Sequence, residues 1–377
     1  MSLRILHAAD VHLGATFRVL GERGREQRRQ LEATFARVVS LAIAEDVHVV
    51  LIAGDLFDSL AAARATAPVA VQELRRLGDA GIPAVLIAGN HDPFGEGSVS
   101  LWCDLAAACP GTSVLGPALE TRLFPDLDLA VVGRSARRHL SSETPLHGLP
   151  RPRPARFLVA MAHGSVQRPD LPARFDLMSP EEIAGCGVDY LALGDWHSTR
   201  DVSAGRVTAW YSGAPEMIDL DEPDSGNVCL VTLRAPGDVQ VERRRVGRRS
   251  SGRLVLDLAT AGGPDGATRA IRERADPDLA LTVVLAGLCS PAERPDVEGL
   301  REAFAGEFFR LEIRDNSHLR AEAVDPSRFP EKTVLGQFVR LMRDRLADRE
   351  GDGEARAVAE DALHLGVALL EGKEILG

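Results

Sequence analysis

Over the first two hundred residues, unbroken apolar runs alternate with stretches of helical period. The runs are "RILHAADVH" (4–12), "VVLIAGDLFD" (49–58), "AVLIAGNHD" (84–92), "FLVAMAHG" (157–164) and "YLALGDWH" (190–197). Each lacks period-two alternation and stops at Gly or Ala just before polar residues. That continuity predicts strands covered on both faces, as in a largely parallel or mixed α/β sheet. Residues 26–46 and 67–82 carry apolar positions at helical spacing and lead directly into the next strand. "LIAG" recurs at 51–54 and 86–89, an offset of 35 residues that suits one strand–helix–strand unit. In such sheets the loops at the carboxyl ends of the strands share one edge, where ligands bind. Five polar turns, far apart in the chain, are therefore predicted to meet.

Composition changes around 235–253, where "RAPGDVQVERRRVGRRSSGR" reads as a last hairpin arm followed by a linker. Beyond it come apolar runs at 253–259, 279–288 and 308–315, with helix-like stretches at 266–275 and 297–305. This β–α–β–α–β order predicts a small α+β domain. Residues 331–376 read as two helices around a Gly-rich break at 351–353. The expected division is 1–245, 253–322 and 323–377.

Charge and cysteines narrow the class. No segment approaches the ~18 unbroken apolar residues of a membrane span, and the N-terminus has no apolar signal core. The five cysteines form no CxxC pair, so reduced thiols in a cytoplasmic protein are expected. A net charge of −11 argues against coating nucleic acid through global positive charge. A local basic track is still available in "ERRRVGRRSSGR" (242–253), which holds Arg243, Arg244, Arg245, Arg248, Arg249 and Arg253. On charge alone a solvated linker explains this run equally well.

The polar turn residues are Asp10, His12, Asp55, Asp58, Asn90, His91, Asp92, His163, Asp195 and His197. Each turn alone is weak, because DxH can be a satisfied loop histidine and Gly-Asp after a strand is common turn chemistry. Together, in order and each at a strand's end, they supply the ligands of two adjacent divalent cations. Carboxylate and carbonyl oxygens suit Mn or Mg, and imidazole adds affinity for Mn, Fe or Zn. Such a pair, ~3.5–4 Å apart, stabilises both the attacking and leaving oxygens of a phosphoryl transfer.

The order DxH, GDxxD, GNHD, H and a final two-ligand turn resembles the calcineurin-like metallophosphoesterase superfamily. Within it, "ILHAADVHLGATF", "VVLIAGDLFDS", "VLIAGNHDP" and "YLALGDWH…WYSGAPE" resemble the SbcD-type and Mre-type DNA-repair exonucleases. The resemblance implies a layered β-sheet core flanked by helices, a smaller α+β cap over 253–322 that guides DNA, and C-terminal helices. It implies a first metal held by Asp10, His12, Asp55 and His197. Asp55 would bridge to a second, completed by Asn90, His163 and residue 195. His91 would face the scissile phosphate, with Asp58 and Asp92 orienting the ligands. It further implies two divalent ions, Mn2+ or Mg2+, a DNA substrate and an SMC-like coiled-coil ATPase of the SbcC type docked on the last helices. A homodimer through helices of the catalytic domain is also implied, with 60–75 or 95–109 as candidate segments.

The last motif departs from the family's Gly-His-x-His, since Gly194-Asp195-Trp196-His197 puts a carboxylate where an imidazole is usual. Ligation through Asp195 would make the second site harder, favouring Mn or Mg over Zn or Fe. Two other outcomes stay open: a weak or empty second site, and a fold kept with activity largely lost. The expected function is a two-metal DNA nuclease, exonucleolytic with some endonuclease capacity. The alternatives are a phosphodiesterase or phosphatase on a small phosphoester, or a weakly active DNA-end-binding subunit. DNA binding through Arg243, Arg244, Arg245, Arg248 and Arg249 is expected to fall steeply with salt.

Overall fold

The computed structural model describes residues 2–95, 97–137, 144–150, 153–167, 177–220, 223–290, 292–319, 329–347 and 353–370. The chain divides into two compact units, residues 1–251 and 252–377.

The first unit runs β1 (Leu3–Ala8), α1 (Arg23–Ala44), β2 (Val49–Ala53), α2 (Leu60–Asp79), β3 (Ala84–Ile87), α3 (Val99–Ala108) and β4 (Thr112–Val114). Then come β5 (Glu120–Phe124), β6 (Leu129–Gly133), β7 (Phe157–His163), α4 (Pro180–Gly185) and β8 (Tyr190–Gly194). The unit closes with β9 (Arg200–Asp201), β10 (Thr208–Tyr211), β11 (Asn227–Ala235) and β12 (Asp238–Arg245).

These strands form two six-stranded sheets, ordered β12-β11-β1-β2-β3-β4 and β5-β6-β7-β8-β10-β9. The five apolar runs therefore do not share one sheet, as their pattern suggested. The first three lie in one and the last two in the other. The reason for the continuous apolarity is visible in the packing. Ile5, Leu51, Val85 and Ile87 face Leu129, Val131, Val159 and Tyr190 between the sheets. Their neighbours Leu6, Val50, Ile52 and Leu86 face Phe35, Val38, Leu74 and Trp102 of the helices α1, α2 and α3. On the far side, Leu158, Leu191 and Leu193 pack on Ile183 of α4. Both faces of each sheet are buried, so alternation carries no hydrophobic contrast. Within each sheet the central strands are parallel, for example Val50↔Ala84 and Ala160↔Leu191, and their carboxyl ends point to one rim.

Helix α2 starts at Leu60, earlier than the apolar period suggests, because the Ser59 hydroxyl accepts from Ala62 N–H and caps it. Pro68 lies inside this helix, one residue past the point where the stretch of helical period begins. The hairpin arm expected within 235–253 is β12, but the stretch after it is not a linker. Strands β11 and β12 form a hairpin, β13 begins at Ser250, and Val246 and Arg249 between them are buried.

The second unit contains β13 (Ser250–Asp257, whose first residues precede the division), α5 (Gly263–Arg272), β14 (Asp276–Ala286), β15 (Leu288–Cys289), α6 (Val297–Ala303), β16 (Phe308–Asp315) and β17 (His318–Leu319). A β13-β14-β16 sheet packs Leu256, Val283, Leu285 and Ile313 against Ile271 and Phe304, and β15 pairs with β17. Helices α7 (Val334–Ala347) and α8 (Gly353–Leu370) meet over Val339, Met342, Ala359 and Leu363. Of the expected C-terminal segment, 323–328, 348–352 and 371–377 lie outside the described residues. All five cysteines are free thiols. Among the described residues no helix is long and apolar enough to cross a membrane.

Candidate metal centre

The rim at the strand ends is assembled from turns whose backbones are tied together. Asp10 N–H donates to the Gly54 carbonyl (3.1 Å), His12 N–H to Asp55 (3.0 Å) and Leu13 N–H to Leu56 (3.0 Å), so the β1 and β2 turns run side by side. Asp10, His12, Asp55 and Asp195 all adopt positive φ (53°, 50°, 49° and 101°). Non-glycine residues rarely hold that region unless their surroundings over-determine it, and such residues cluster at functional sites. Glycines allow the close approach. A Cβ on Gly54 would lie 2.1 Å from His163 Nδ1, and one on Gly89 would lie 2.1 Å from Asp55 Oδ1.

Asp10, His12, Asp55 and His163 are buried at the bottom of the rim. Asp55 Oδ2 stands between two imidazoles, 3.7 Å from His12 Nε2 and 3.4 Å from His163 Nε2. His12 Nε2 lies 3.2 Å from His197 Nε2. His163 donates through Nδ1 to the Ala53 carbonyl (2.9 Å), which leaves Nε2 toward the site, 2.7 Å from Asn90 Oδ1. Among the described residues, three sets of donor atoms lie within 4.8 Å of one another: Asp10, His12 and His197; Asp10, Asp55 and His163; and His12, Asp58 and His91. Asp195 belongs to none of these sets, its Oδ1 lying 3.9 Å from His163 Nε2.

His91 is exposed at the mouth. Its N–H donates to Asp55 Oδ1 (2.9 Å) and its Nδ1 meets the Asp58 carbonyl (3.0 Å). Asp92 lies close enough to Asp55 for that carboxylate's charge to act on it. It is fully buried and accepts from Phe57 N–H (2.9 Å) and Gly89 N–H (2.7 Å), locking the β2 and β3 turns to each other.

The electrostatics are those of a negative pit held together by imidazoles. Burial pushes Asp10 above the usual carboxylate range, against the pull of His163. Burial also acts on Asp55, but His163, His12 and the His91 N–H together hold it well below that range. Burial would strip the His163 proton, yet Asp55, Asp10 and Asp195 outweigh it and lift its pKa to about 10. Burial and the charge of Asp55 raise Asp92 to about 7. A buried imidazolium among carboxylates marks a place where positive charge is wanted. A mixed oxygen and imidazole donor set around buried carboxylates fits divalent cations.

Three contributors were not legible in the sequence. Asp219 Oδ2 lies 3.3 Å from His197 Nδ1 and is held below its usual pKa by that imidazole. A carboxylate there fixes the ring so that Nε2 faces inward. Ser165 donates its hydroxyl to Asp195. Glu216, fully buried, accepts from Thr34 Oγ1 (2.7 Å), Arg248 N–H (2.9 Å) and Arg249 N–H (2.8 Å), tying the turn that carries Asp219 to α1. A "PE" after a glycine turn gives no such signal in advance. Trp196 packs against the core beside α4.

The arginine track is only partly open to solvent. The Arg249 side chain is 1% exposed and bonds Gln27 and Glu26, so it presents no charge to a ligand. Arg244 pairs with Glu45 and Glu242, and Arg245 donates to the carbonyls of Ser225 and Arg249. Arg243 and Arg248 are exposed.

A layered two-sheet core with a carboxylate–imidazole rim is the architecture of a metal-dependent phosphoester hydrolase. The chain belongs to the calcineurin-like phosphoesterase family, whose model matches residues 3–199. It is 29% identical over 276 residues to the DNA double-strand break repair protein Mre11 of Aeropyrum pernix, covering 69% of this chain and 64% of that protein. It is likewise 29% identical to Mre11 of Haloferax volcanii, covering 75% of this chain and 61% of the relative. To the metallophosphoesterase YhaO of Bacillus subtilis it is 25% identical, covering 64% and 60%. The chain thus spans about three-fifths of the length of these relatives.

Proposed function

We propose that the protein is a two-metal DNA nuclease acting on phosphodiester bonds, exonucleolytic with some endonuclease capacity. The observation that carries this reading is the position of Asp55 Oδ2 between His12 and His163, where one carboxylate oxygen can serve two cations. Asp10, His12, Asp55 and His197 would hold one ion, and Asp55, Asn90, His163 and Asp195 the other. Mn2+ or Mg2+ suits this oxygen-rich set. When bound, the ions supply Lewis-acid polarisation of the phosphate and lower the pKa of water.

The chain's own groups do the rest. With Nδ1 of His91 committed to the Asp58 carbonyl, Nε2 is the atom left to steady the phosphate or protonate the leaving oxygen. Asp58, whose Oδ1 is 3.3 Å from His12 Nδ1, orients that ring. Asp92 keeps the turns in register.

Two observations favour DNA over a small phosphoester. The relatives named Mre11 are DNA double-strand break repair proteins, and a second compact unit follows the catalytic one. Within that unit, 253–322 would guide DNA and 323–377 would dock an SMC-like coiled-coil ATPase. Val358, Ala362, Leu365 and Leu369 form an exposed apolar stripe along α8 that suits a partner helix.

The test is Mn2+-dependent degradation of linear duplex DNA beside hydrolysis of a chromogenic bis-phosphodiester. DNA cleavage that disappears in His91→Ala supports the nuclease. Turnover of the small ester alone would support the phosphoesterase reading. DNA ends bound but never cut, by wild type and variant alike, would leave an end-binding subunit.

A further inference from the structure

The turn after β8 carries a carboxylate where the resembling nucleases have an imidazole, and the group that aims it sits on the neighbouring turn. Ser165, two residues beyond His163, donates its hydroxyl to Asp195 Oδ2. The Asp195 N–H donates to both oxygens of Asp10, at 3.0 and 3.2 Å. With its backbone held by Asp10 and one oxygen by Ser165, Asp195 directs Oδ1 toward the site, 3.9 Å from His163 Nε2. Ser165 is braced in turn. Tyr211 donates its hydroxyl to the Gly164 carbonyl (2.8 Å) and accepts from Val166 N–H (2.9 Å), gripping the chain on either side of the serine.

We propose that Ser165 is a positioning residue that makes Asp195 an oxygen donor to the second cation, so that a Ser–Asp pair fills the place of one imidazole. An aspartate side chain is shorter than a histidine and, like it, turns about two bonds, so it reaches a cation only if that rotation is fixed. A hydroxyl on Oδ2 removes that freedom and leaves the Oδ1 lone pairs for the ion. Supporting partners of this kind govern affinity without touching the metal. The resulting set of Asp55, Asn90 and Asp195 oxygens with a single His163 nitrogen selects Mn2+ or Mg2+ over Zn2+. The inference rests on the two-cation reading of the rim.

The experiment is a Mn2+ titration of the full chain by calorimetry, with electron paramagnetic resonance of the bound ion. Wild type is expected to bind two ions. Ser165→Ala should weaken the second by about ten-fold or more, and Ser165→Thr, which keeps the hydroxyl, should restore it. In an Asp195→His background the serine should become irrelevant, and the preference should move toward Zn2+. Melting curves in chelator show whether Ser165→Ala still folds, and the Ser165→Thr comparison decides the matter if Asp195→His does not. Ser165→Ala binding both ions like wild type, or weakening the second ion equally in the Asp195→His background, would overturn the proposal. Wild type taking up fewer than two ions would overturn the two-cation reading itself. Two ions in wild type with an indifferent serine would overturn only the role of Ser165.

Discussion

Asp10, His12, Asp55 and Asp195 hold backbone conformations that cost of order 1–3 kcal/mol each, and the carboxylates around His163 strengthen its hold on a proton. The folded protein binds that proton more tightly than the unfolded chain. The stabilisation is intact below the ordinary histidine value of 6.5 and is lost as pH rises through about 10. Asp92, raised to about 7 and neutral when protonated, acts in the same direction, its contribution fading between 3.8 and 7. Metal-free protein should therefore melt at progressively lower temperature from neutral to alkaline pH, and Mn2+ should flatten the decline by displacing the proton. A chelated protein with a pH-independent melting temperature would contradict this. His91→Ala is expected to lower phosphodiester cleavage by about 10²–10⁴-fold with Mn2+ stoichiometry unchanged. The proposed ligands could be read from sequence because Asp, Asn and His at strand ends are conspicuous. Asp219 and Ser165 could not, because their roles exist only through contacts made across the fold.

Elements were legible where periodicity was strong, and boundaries were lost where a side chain decided them. The helical period stands out only from residue 67, yet the Ser59 cap begins α2 at Leu60. The short strands β4 and β5 carry no apolar run long enough to stand out, and β6, as apolar as β2, ends in no Asp, Asn or His to draw notice. The arginine-rich stretch resembles solvated chain because charge composition cannot reveal the buried Glu216 that gathers its backbone N–H groups. Removing that acceptor leaves several buried donors unpaired. Glu216→Ala is expected to cost about 3 kcal/mol or more in urea unfolding. A loss under about 0.5 kcal/mol, the range of ordinary surface substitutions, would mean that the network is incidental.

At the scale of the molecule, the net charge of −11 and the engaged arginines limit how far the 243–249 segment can grip a phosphate backbone. Each phosphate contact adds about 0.9 to the salt slope of duplex binding. Replacing exposed Arg243 and Arg248 together should thus flatten that slope by at most about two, measured by anisotropy on linear duplex. Arg249→Ala should lower the melting temperature and leave the slope alone. A flattened slope with unchanged melting would restore Arg249 as a DNA contact. The convergence of the turns was readable in advance. The division of their strands between two sheets was not, because a face buried by a helix and one buried by another sheet look alike in a sequence.

Glu216 also dictates where the protein can be cut. The family match stops at residue 199, before β10, β11 and β12 have filled their places in the two sheets. Trimming just past β12, at residue 245, would complete the sheets yet take away two of the N–H groups that anchor Glu216, and with them the tether of the segment bearing Asp219. The shortest autonomous hydrolase therefore ends no earlier than Arg249, and a fragment that stops at 245 should aggregate or bind Mn2+ poorly where one ending at 251 does not.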